Sequence, residues 1–533
     1  MKTLATTMSW LCLSGTAALA QTTLISIPGS LPDEGFGSAV ASPGDVDGDG
    51  VPDVAVGVPD GDWAGSPQGV VRLHSGATGA LLWEVGPAAA TLDFGTTLVA
   101  MGDVDGDGVD ELLTRHAMPS VVLLSGRTGD TLVAISGHPF GALGSCFGGL
   151  SDVDGDGAAD FVVGDWFQQQ ALWLRSGASG AILHKWGGGL GRAAAGTLDL
   201  DGDGLDDVVA TTFDIDQVLP SKVIAFSTGS KAPLFEVLEP QDAVFWGWAL
   251  AADADLDGDG LPEIAVSDPL HGGDAGRVTV LRGSDQGVHF EVRGAPGMRL
   301  GTSLQYAGDM DGDGVSELVC ASGAQAGATG ALRVFSGAIG ALVLEVTGPG
   351  AEGFANSAAG VGDLDGDGAN DVAFGWPGWS DAGGAKGQVQ VLAGPCPTPE
   401  VYCAAQVNSQ GCASQVGWSG SPKGLSGEPF VVGAAQLVPG GVGLVIYSLA
   451  GADALPALGG TLCVAAPFVR APGVALTGAG ACGGALAFDF GAWMQSGADP
   501  ALVPGVTVWA QVWSRDPGAA TGSNLSDALR FEP

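Results

Sequence analysis

Basic residues are scarce in this chain: Lys and Arg number 19 against 59 acidic residues, for a formal net charge of −40. That balance argues against nucleic acid, whose phosphates would be repelled. Beyond the N-terminal segment no stretch offers eighteen uninterrupted apolar residues; the best, 442–450, is short and Gly-flanked, so no membrane span is expected. Histidine is also rare, and His74, His116, His138, His184, His271 and His289 are scattered. With no Gly-x-Ser-x-Gly elbow, His-Glu-x-x-His pair or P-loop, no catalytic constellation emerges.

What the chain does contain is one acidic loop, Asp-x-Asp-Gly-Asp-Gly-x-x-Asp/Glu, repeated seven times. The copies begin at Asp45, Asp103, Asp152, Asp199, Asp255, Asp309 and Asp363, at successive spacings of 58, 49, 47, 56, 54 and 54 residues. Such a period belongs to a supersecondary unit repeated in series.

Carboxylates at positions 1, 3 and 5 converge only if the backbone coils tightly, and the glycines at positions 4 and 6 permit the positive φ that coiling needs. An all-oxygen cage favours Ca²⁺ over Mg²⁺, which keeps its waters and demands a stricter octahedron. Each expected site takes four acids and the carbonyl at position 7. The first comprises Asp45, Asp47, Asp49, Val51 and Asp53, and the second Asp103, Asp105, Asp107, Val109 and Glu111. The third takes Asp152, Asp154, Asp156, Ala158 and Asp160, the fourth Asp199, Asp201, Asp203, Leu205 and Asp207. The fifth takes Asp255, Asp257, Asp259, Leu261 and Glu263, the sixth Asp309, Asp311, Asp313, Val315 and Glu317. Asp363, Asp365, Asp367, Ala369 and Asp371 complete the set, giving up to seven Ca²⁺. An EF-hand would place a bidentate acid at position 12, where this chain has Val56, Thr114, Val163, Ala210, Val266, Cys320 and Phe374. A lone acidic loop is usually a solvated turn; these hold 28 of the chain's 59 acids, a clustering that divalent ions would relieve.

Short apolar runs follow the loops directly, such as Val54-Ala55-Val56 and Ile264-Ala265-Val266, and read as buried strands. Ahead of most loops stands an aromatic-Gly or related pair: Phe36-Gly37, Phe94-Gly95, Phe147-Gly148, Trp246-Gly247, Leu300-Gly301 and Phe354-Ala355, with only Leu190-Gly191 in the fourth copy. A further strand ending in Ser-Gly follows, as in Val121-Val122-Leu123-Leu124-Ser125-Gly126, and then another, as in Leu342-Val343-Leu344-Glu345-Val346. Four short strands per unit make a propeller blade. The seventh unit stops after Val389-Gln390-Val391-Leu392 without its fourth strand, while Leu24-Ile25-Ser26-Ile27 precedes the first Phe-Gly pair. The N-terminal strand is therefore expected to complete the last blade and close the ring, removing exposed sheet edges.

The Phe-Gly pair, the acidic loop ahead of a strand, and the Gly-x-Pro segment after it (Gly57-Val58-Pro59, Gly375-Trp376-Pro377) resemble FG-GAP repeats, the units of the integrin alpha-chain N-terminal propeller and of many secreted bacterial proteins. The resemblance covers about residues 22–394; the Gly-x-Pro segment is intact only in the first and seventh units, and the fourth lacks the aromatic. It implies a ligand-binding or adhesion platform with calcium on one face and recognition on the other. On that other face stand Trp63, Trp166, Phe167, His271, Trp376 and Trp379, with Phe245, Trp246 and Trp248 nearby, as a stacking surface for a sugar or a partner's side chains or, more plainly, as packing.

Met1-Lys2 leads into an apolar stretch ending Ala17-Ala18-Leu19-Ala20, so residues 1–20 read as a signal peptide. The expected location is secreted, extracellular or cell-envelope, where calcium is plentiful and disulfides persist. Residues 21–394 read as the seven-bladed propeller, 395–402 as a linker, and 403–533 as a second all-β domain, a small sandwich. Late cysteines suggest disulfides between the sequence-nearest partners, Cys403–Cys412 and Cys463–Cys482, with Cys396 left over and Cys146 and Cys320 reduced in strands. Asn524-Leu525-Ser526 matches a glycosylation sequon. The expected function is a noncatalytic, calcium-stabilised binding or adhesion module for an extracellular protein or polysaccharide. The alternatives are a calcium-dependent carbohydrate-active enzyme, lyase or hydrolase, and a structural cell-envelope component.

Overall fold

The computed structural model describes residues 23–531 except 88–92, 117–119, 138–141, 168, 213–219, 324–329, 349–352, 367, 382–383, 395–399, 404, 420–429, 458–459 and 503–505. The expected signal peptide, Cys12 and Cys396 lie outside the described residues.

The first repeat shows how the sequence builds its sheet. Ala39–Gly44 leads into the acidic loop, Asp53–Val58 leaves it, Val70–His74 returns, and Leu81–Val85 forms the outer edge, in that antiparallel order. The second and third strands are buried at every residue, which is why apolar residues dominate them, with Asp53, Arg72 and His74 buried among them. The fourth is open to solvent on its outer side, with Leu81 52 % exposed. Seven sheets with four antiparallel strands each are present among the described residues, alongside two-stranded ribbons and, toward the C-terminus, a six-stranded and a three-stranded sheet.

Successive sheets pack through their first strands, from Ala39–Gly44 against Leu98–Met101 onward, and Ser357–Gly362 of the seventh lies against Ala39–Gly44 of the first. Together the seven first strands line one cavity of about 700 Å³. The N-terminal strand Thr23–Pro28 is outermost in the seventh sheet, pairing antiparallel with Gln388–Leu392 from Thr23↔Leu392 to Pro28↔Gln388. The first and last repeats also share a core, in which Phe36, Val54 and Val56 pack with Ala359, Ala373 and Val389. Burial of each Val or Phe side chain there stabilises by roughly 1.5–3 kcal/mol. In the fourth repeat Leu190 is 1 % exposed in the aromatic's place, beside the rings of Trp186 and Phe226, which lie 5.2 Å apart.

The C-terminal part has a different architecture. Glu400–Tyr402 pairs with Ala528–Arg530, so the expected linker contributes a strand to a six-stranded sheet that includes Val442–Ser448, Val508–Arg515 and Ser523–Phe531. A three-stranded sheet of Gln415–Ser419, Val431–Leu437 and Gly484–Asp489 shares one apolar core with it, including Phe430, Tyr447 and Phe490. A short helix, Phe490–Gln495, follows directly on the strand Gly484–Asp489; its N-cap Asp489 accepts from the N–H of Ala492.

The disulfides correct the sequence-nearest guess: they join Cys403 to Cys463 and Cys412 to Cys482. Tertiary contact, not chain proximity, decides this. The Tyr402 hydroxyl donates to the Cys463 carbonyl at 2.8 Å, and the Cys482 N–H donates to the Gln410 side chain at 2.7 Å, holding distant segments together. Cys146 and Cys320 are free thiols on strands Leu143–Leu150 and Leu318–Ser322, with Cys146 half-buried and Cys320 buried. Asn524 of the sequon is 1 % exposed, which closes it to glycosylation in the folded chain.

Candidate metal centres

Each acidic loop is the turn between the first and second strands of its sheet, so all seven sit at one end of the sheets. The glycines at positions 4 and 6 adopt φ between 75° and 94° throughout, a region that side-chain-bearing residues avoid. Three N–H groups then converge on the position 1 carboxylate. In the first loop Asp45 Oδ1 accepts from Gly48 at 2.8 Å and Asp49 at 3.1 Å, and Oδ2 from Gly50 at 2.8 Å. Positions 3 and 5 close smaller turns: Asp47 Oδ1 accepts from the N–H of Asp49 at 3.2 Å, and Asp49 Oδ1 from that of Val51 at 2.9 Å.

The two glycine bonds to position 1 recur at Asp103, Asp152, Asp199, Asp255, Asp309 and Asp363. They hold Asp152 below the usual carboxylate range. Asp367, the expected position 5 ligand of the seventh loop, lies outside the described residues.

The acid at position 9 behaves differently from the rest of its loop. It opens the second strand, or in Glu317 stands just ahead of it, and is fully buried in all seven copies, at Asp53, Glu111, Asp160, Asp207, Glu263, Glu317 and Asp371. One of its oxygens accepts from the N–H at position 2, as Asp53 does from Val46 at 2.9 Å and Asp371 from Leu364 at 2.7 Å. Burial, reinforced by the loop's own carboxylates, pushes Glu111 up to about 7 and Glu317 up to about 8, and Asp160 and Asp207 up to about 6. A divalent ion would oppose those shifts, since a nearby cation favours the charged form.

The donor set fits a hard cation on its chemistry. Carboxylate oxygens of Asp103, Asp105, Asp107 and Glu111 lie within 4.8 Å of one another, as do those of Asp45, Asp47 and Asp53, and of Asp152, Asp154 and Asp160. Asp199, Asp201 and Asp203 form another such group, and so do Asp255, Asp257 and Asp259. Side-chain donors at these groups are all oxygens, the preference of Ca²⁺ and Mg²⁺ rather than of softer metals.

One partner of the loops was hidden in the sequence, the Ser-Gly turn after the third strand. Its glycine comes so near the loop that a Cβ on Gly76 would stand 1.8 Å from the carbonyl oxygen of Pro52, and one on Gly337 would stand 2.0 Å from that of Ser316. Gly76 also donates its N–H to Asp53 Oδ1 at 2.9 Å. The turn recurs at variable distances from position 9, so spacing alone could not tie the two together.

On the opposite face most of the candidate aromatics are packed. Trp246 is 2 % exposed, Trp376 lies 5.1 Å from Phe354, and Trp63 packs beside the core shared by the first and last repeats. His271 is buried, its Nδ1 3.3 Å from the Asp242 carbonyl, near the Arg277–Asp242 ion pair of 2.9 Å. Phe167 is 53 % exposed with Trp166 edge-on beside it, and the Arg192 guanidinium lies 4.0 Å over the ring of Trp248, which also touches Phe245. The sequence reading missed Arg192. It also missed Asp253, which stands in the central cavity, reached by water yet walled by protein that pushes its carboxyl up to about 6.

No helix among the described residues is long and apolar enough to cross a membrane. The FG-GAP repeat family model matches residues 36–74 and 246–281. Integrin alpha-4 of Xenopus laevis is 30% identical over 158 residues, which is 27% of this chain and 15% of that protein. Integrin alpha-PS5 of Drosophila melanogaster is 34% identical over 155 residues, 25% of this chain and again 15% of the relative. The chain thus spans a small part of the length of these relatives. Among solved structures, BBS1N in complex with ARL6DN aligns over 71% of this chain and 98% of that one, with 12% sequence identity and a TM-score of 0.46.

Proposed function

From the premise that the chain carries FG-GAP repeats, we propose that it is a secreted, calcium-stabilised seven-bladed β-propeller that acts as a noncatalytic binding or adhesion module. In this reading residues 21–394 form the propeller, and 403–533, joined by the strand at Glu400–Tyr402, form a small β-sandwich. The observation that carries the proposal is the recurrence of one oxygen-lined loop at the same end of every four-stranded sheet. A ring fastened by ions at one end leaves its other end for recognition.

Integrin alpha-4 and integrin alpha-PS5 support an adhesion-type role by analogy, and the disulfides of the C-terminal part favour an oxidising compartment. Ca²⁺ fits the oxygen cages better than Mg²⁺ because Mg²⁺ keeps several waters. The ligand is an extracellular protein or polysaccharide, received on the face that displays Phe167, Trp166 and the Arg192–Trp248 pair.

The test is retention on immobilised polysaccharides and extracellular proteins in calcium, with product analysis of each polysaccharide. Retention that is lost in Trp248→Ala, without chain cleavage, is the expected result. Cleavage of any polysaccharide would replace this reading with that of a carbohydrate-active enzyme.

A further inference from the structure

We propose that the seven loops form two classes of calcium site, three tighter and four weaker, set by whether position 9 is Glu or Asp. The inference rests on the calcium reading above and concerns what each loop's buried acid lacks before an ion arrives.

In the four Asp loops both oxygens of that acid are engaged by backbone donors. Oδ2 of Asp53, Asp160, Asp207 and Asp371 accepts from the position 2 N–H of Val46, Val153, Leu200 and Leu364. Oδ1 accepts from the turn after the third strand, from Gly76, Gly177, Thr228 and Gly394 at 2.9, 3.0, 3.0 and 2.8 Å. Asp thus staples its loop to the turn at the end of the neighbouring third strand.

The three Glu loops keep only half of this arrangement. Oε2 of Glu111, Glu263 and Glu317 still accepts from Val104, Leu256 and Met310. Oε1 accepts from no donor among the described residues in any of the three, although each side chain is fully buried. The longer side chain keeps the position 2 bond and misses the bond to the turn.

A desolvated carboxylate oxygen without a donor carries an unrelieved cost. In the second loop that carboxylate lies within 4.8 Å of those of Asp103, Asp105 and Asp107, so a cation held by these three is the partner within reach. An ion entering a Glu loop gains an uncommitted, desolvated oxygen; one entering an Asp loop meets oxygens already partly neutralised by N–H groups. With otherwise equal donor sets, the Glu loops bind calcium more tightly by about tenfold, the order expected for satisfying one buried polar group.

Calorimetric titration of calcium into the chelator-stripped full chain tests this. The expected isotherm has three equivalents in a tight class and four in a class about tenfold weaker. The triple variant Glu111→Asp, Glu263→Asp, Glu317→Asp should merge the two classes, and the single variant Asp53→Glu should raise the tight class from three equivalents to four, which keeps the proposal testable if the triple variant does not fold. A single class in the wild type, or two classes that neither substitution alters, would overturn the proposal while leaving calcium binding itself intact. Absence of any calcium heat would instead remove the calcium reading on which both rest.

Discussion

The carbonyl oxygen of Gly37 occupies the space where a side chain on Gly375 would begin: a Cβ there would stand 1.8 Å from it. Gly37 belongs to the first Phe-Gly pair and Gly375 to the last Gly-x-Pro segment, so this contact joins the two ends of the repeat array. The same relationship links Gly57 with the Gly95 carbonyl at 2.0 Å and Gly164 with that of Gly191 at 2.7 Å. The two glycine motifs are therefore halves of one contact, each sheet making room for the backbone of its neighbour.

Gly375→Ala should accordingly destabilise the chain by about 1–3 kcal/mol, the usual cost of overpacking, with the backbone separation at the closure forced to widen. Thermal melting of the variant in saturating calcium measures it. A melting temperature equal to wild type would show that the contact between the first and last repeats yields without cost.

Chelation should lower the melting temperature strongly. Each ion bound only by the folded chain adds about 2.7 kcal/mol at a hundredfold excess over its Kd. Melting in calcium and in EGTA measures the shift, and equal temperatures would defeat the site assignment. Asp45→Ala should reproduce part of the loss, because Asp45 also gathers three backbone N–H groups of its loop.

The two disulfides close segments of 60 and 70 residues, and each should stabilise the C-terminal part by about 4 kcal/mol through the entropy it removes from the unfolded chain. Peptide mapping without reduction should recover Cys403 with Cys463 and Cys412 with Cys482. The double variant Cys412→Ser, Cys482→Ser should melt earlier, and an unchanged transition would show that the surrounding hydrogen bonds suffice.

His74 should make the first sheet sensitive to acid. It is 7 % exposed, its Nδ1 lies 3.0 Å from the Gly79 carbonyl, and Nε2 has no partner, so burial lowers its pKa from the ordinary value. As pH falls below about 6.5 the unfolded chain takes up a proton that the folded chain refuses, and stability is lost in that direction. In saturating calcium, the drop in melting temperature from about pH 7.5 to about pH 5.5 should be smaller in His74→Gln than in wild type. An equal drop would place the acid sensitivity elsewhere.

The acidic loops, their order and the strands they precede were legible in the sequence because every element of that pattern is local. Two glycines at fixed places, acids at alternate positions and an apolar run within ten residues describe a turn entering a buried strand without reference to anything distant. The pairing of 24–27 with 389–392 was also legible, because a repeat array with a missing strand at one end and a spare at the other has one economical solution.

Other features were not local. Leu190 could replace an aromatic because Trp186 from the third sheet and Phe226 from the fourth fill the same core. The cysteine partners followed tertiary contacts across 60 and 70 residues, which spacing could not anticipate.

By itself, then, the sequence determined the repeat, its loop chemistry and the strand count per unit, since these depend on residues within a few bonds of one another. Only the tertiary structure decided that the acid at position 9 is a buried staple in four loops and half-unpartnered in three. That difference depends on whether a side chain one methylene longer still meets an N–H from a turn about twenty residues away, and only the packed sheet sets that distance.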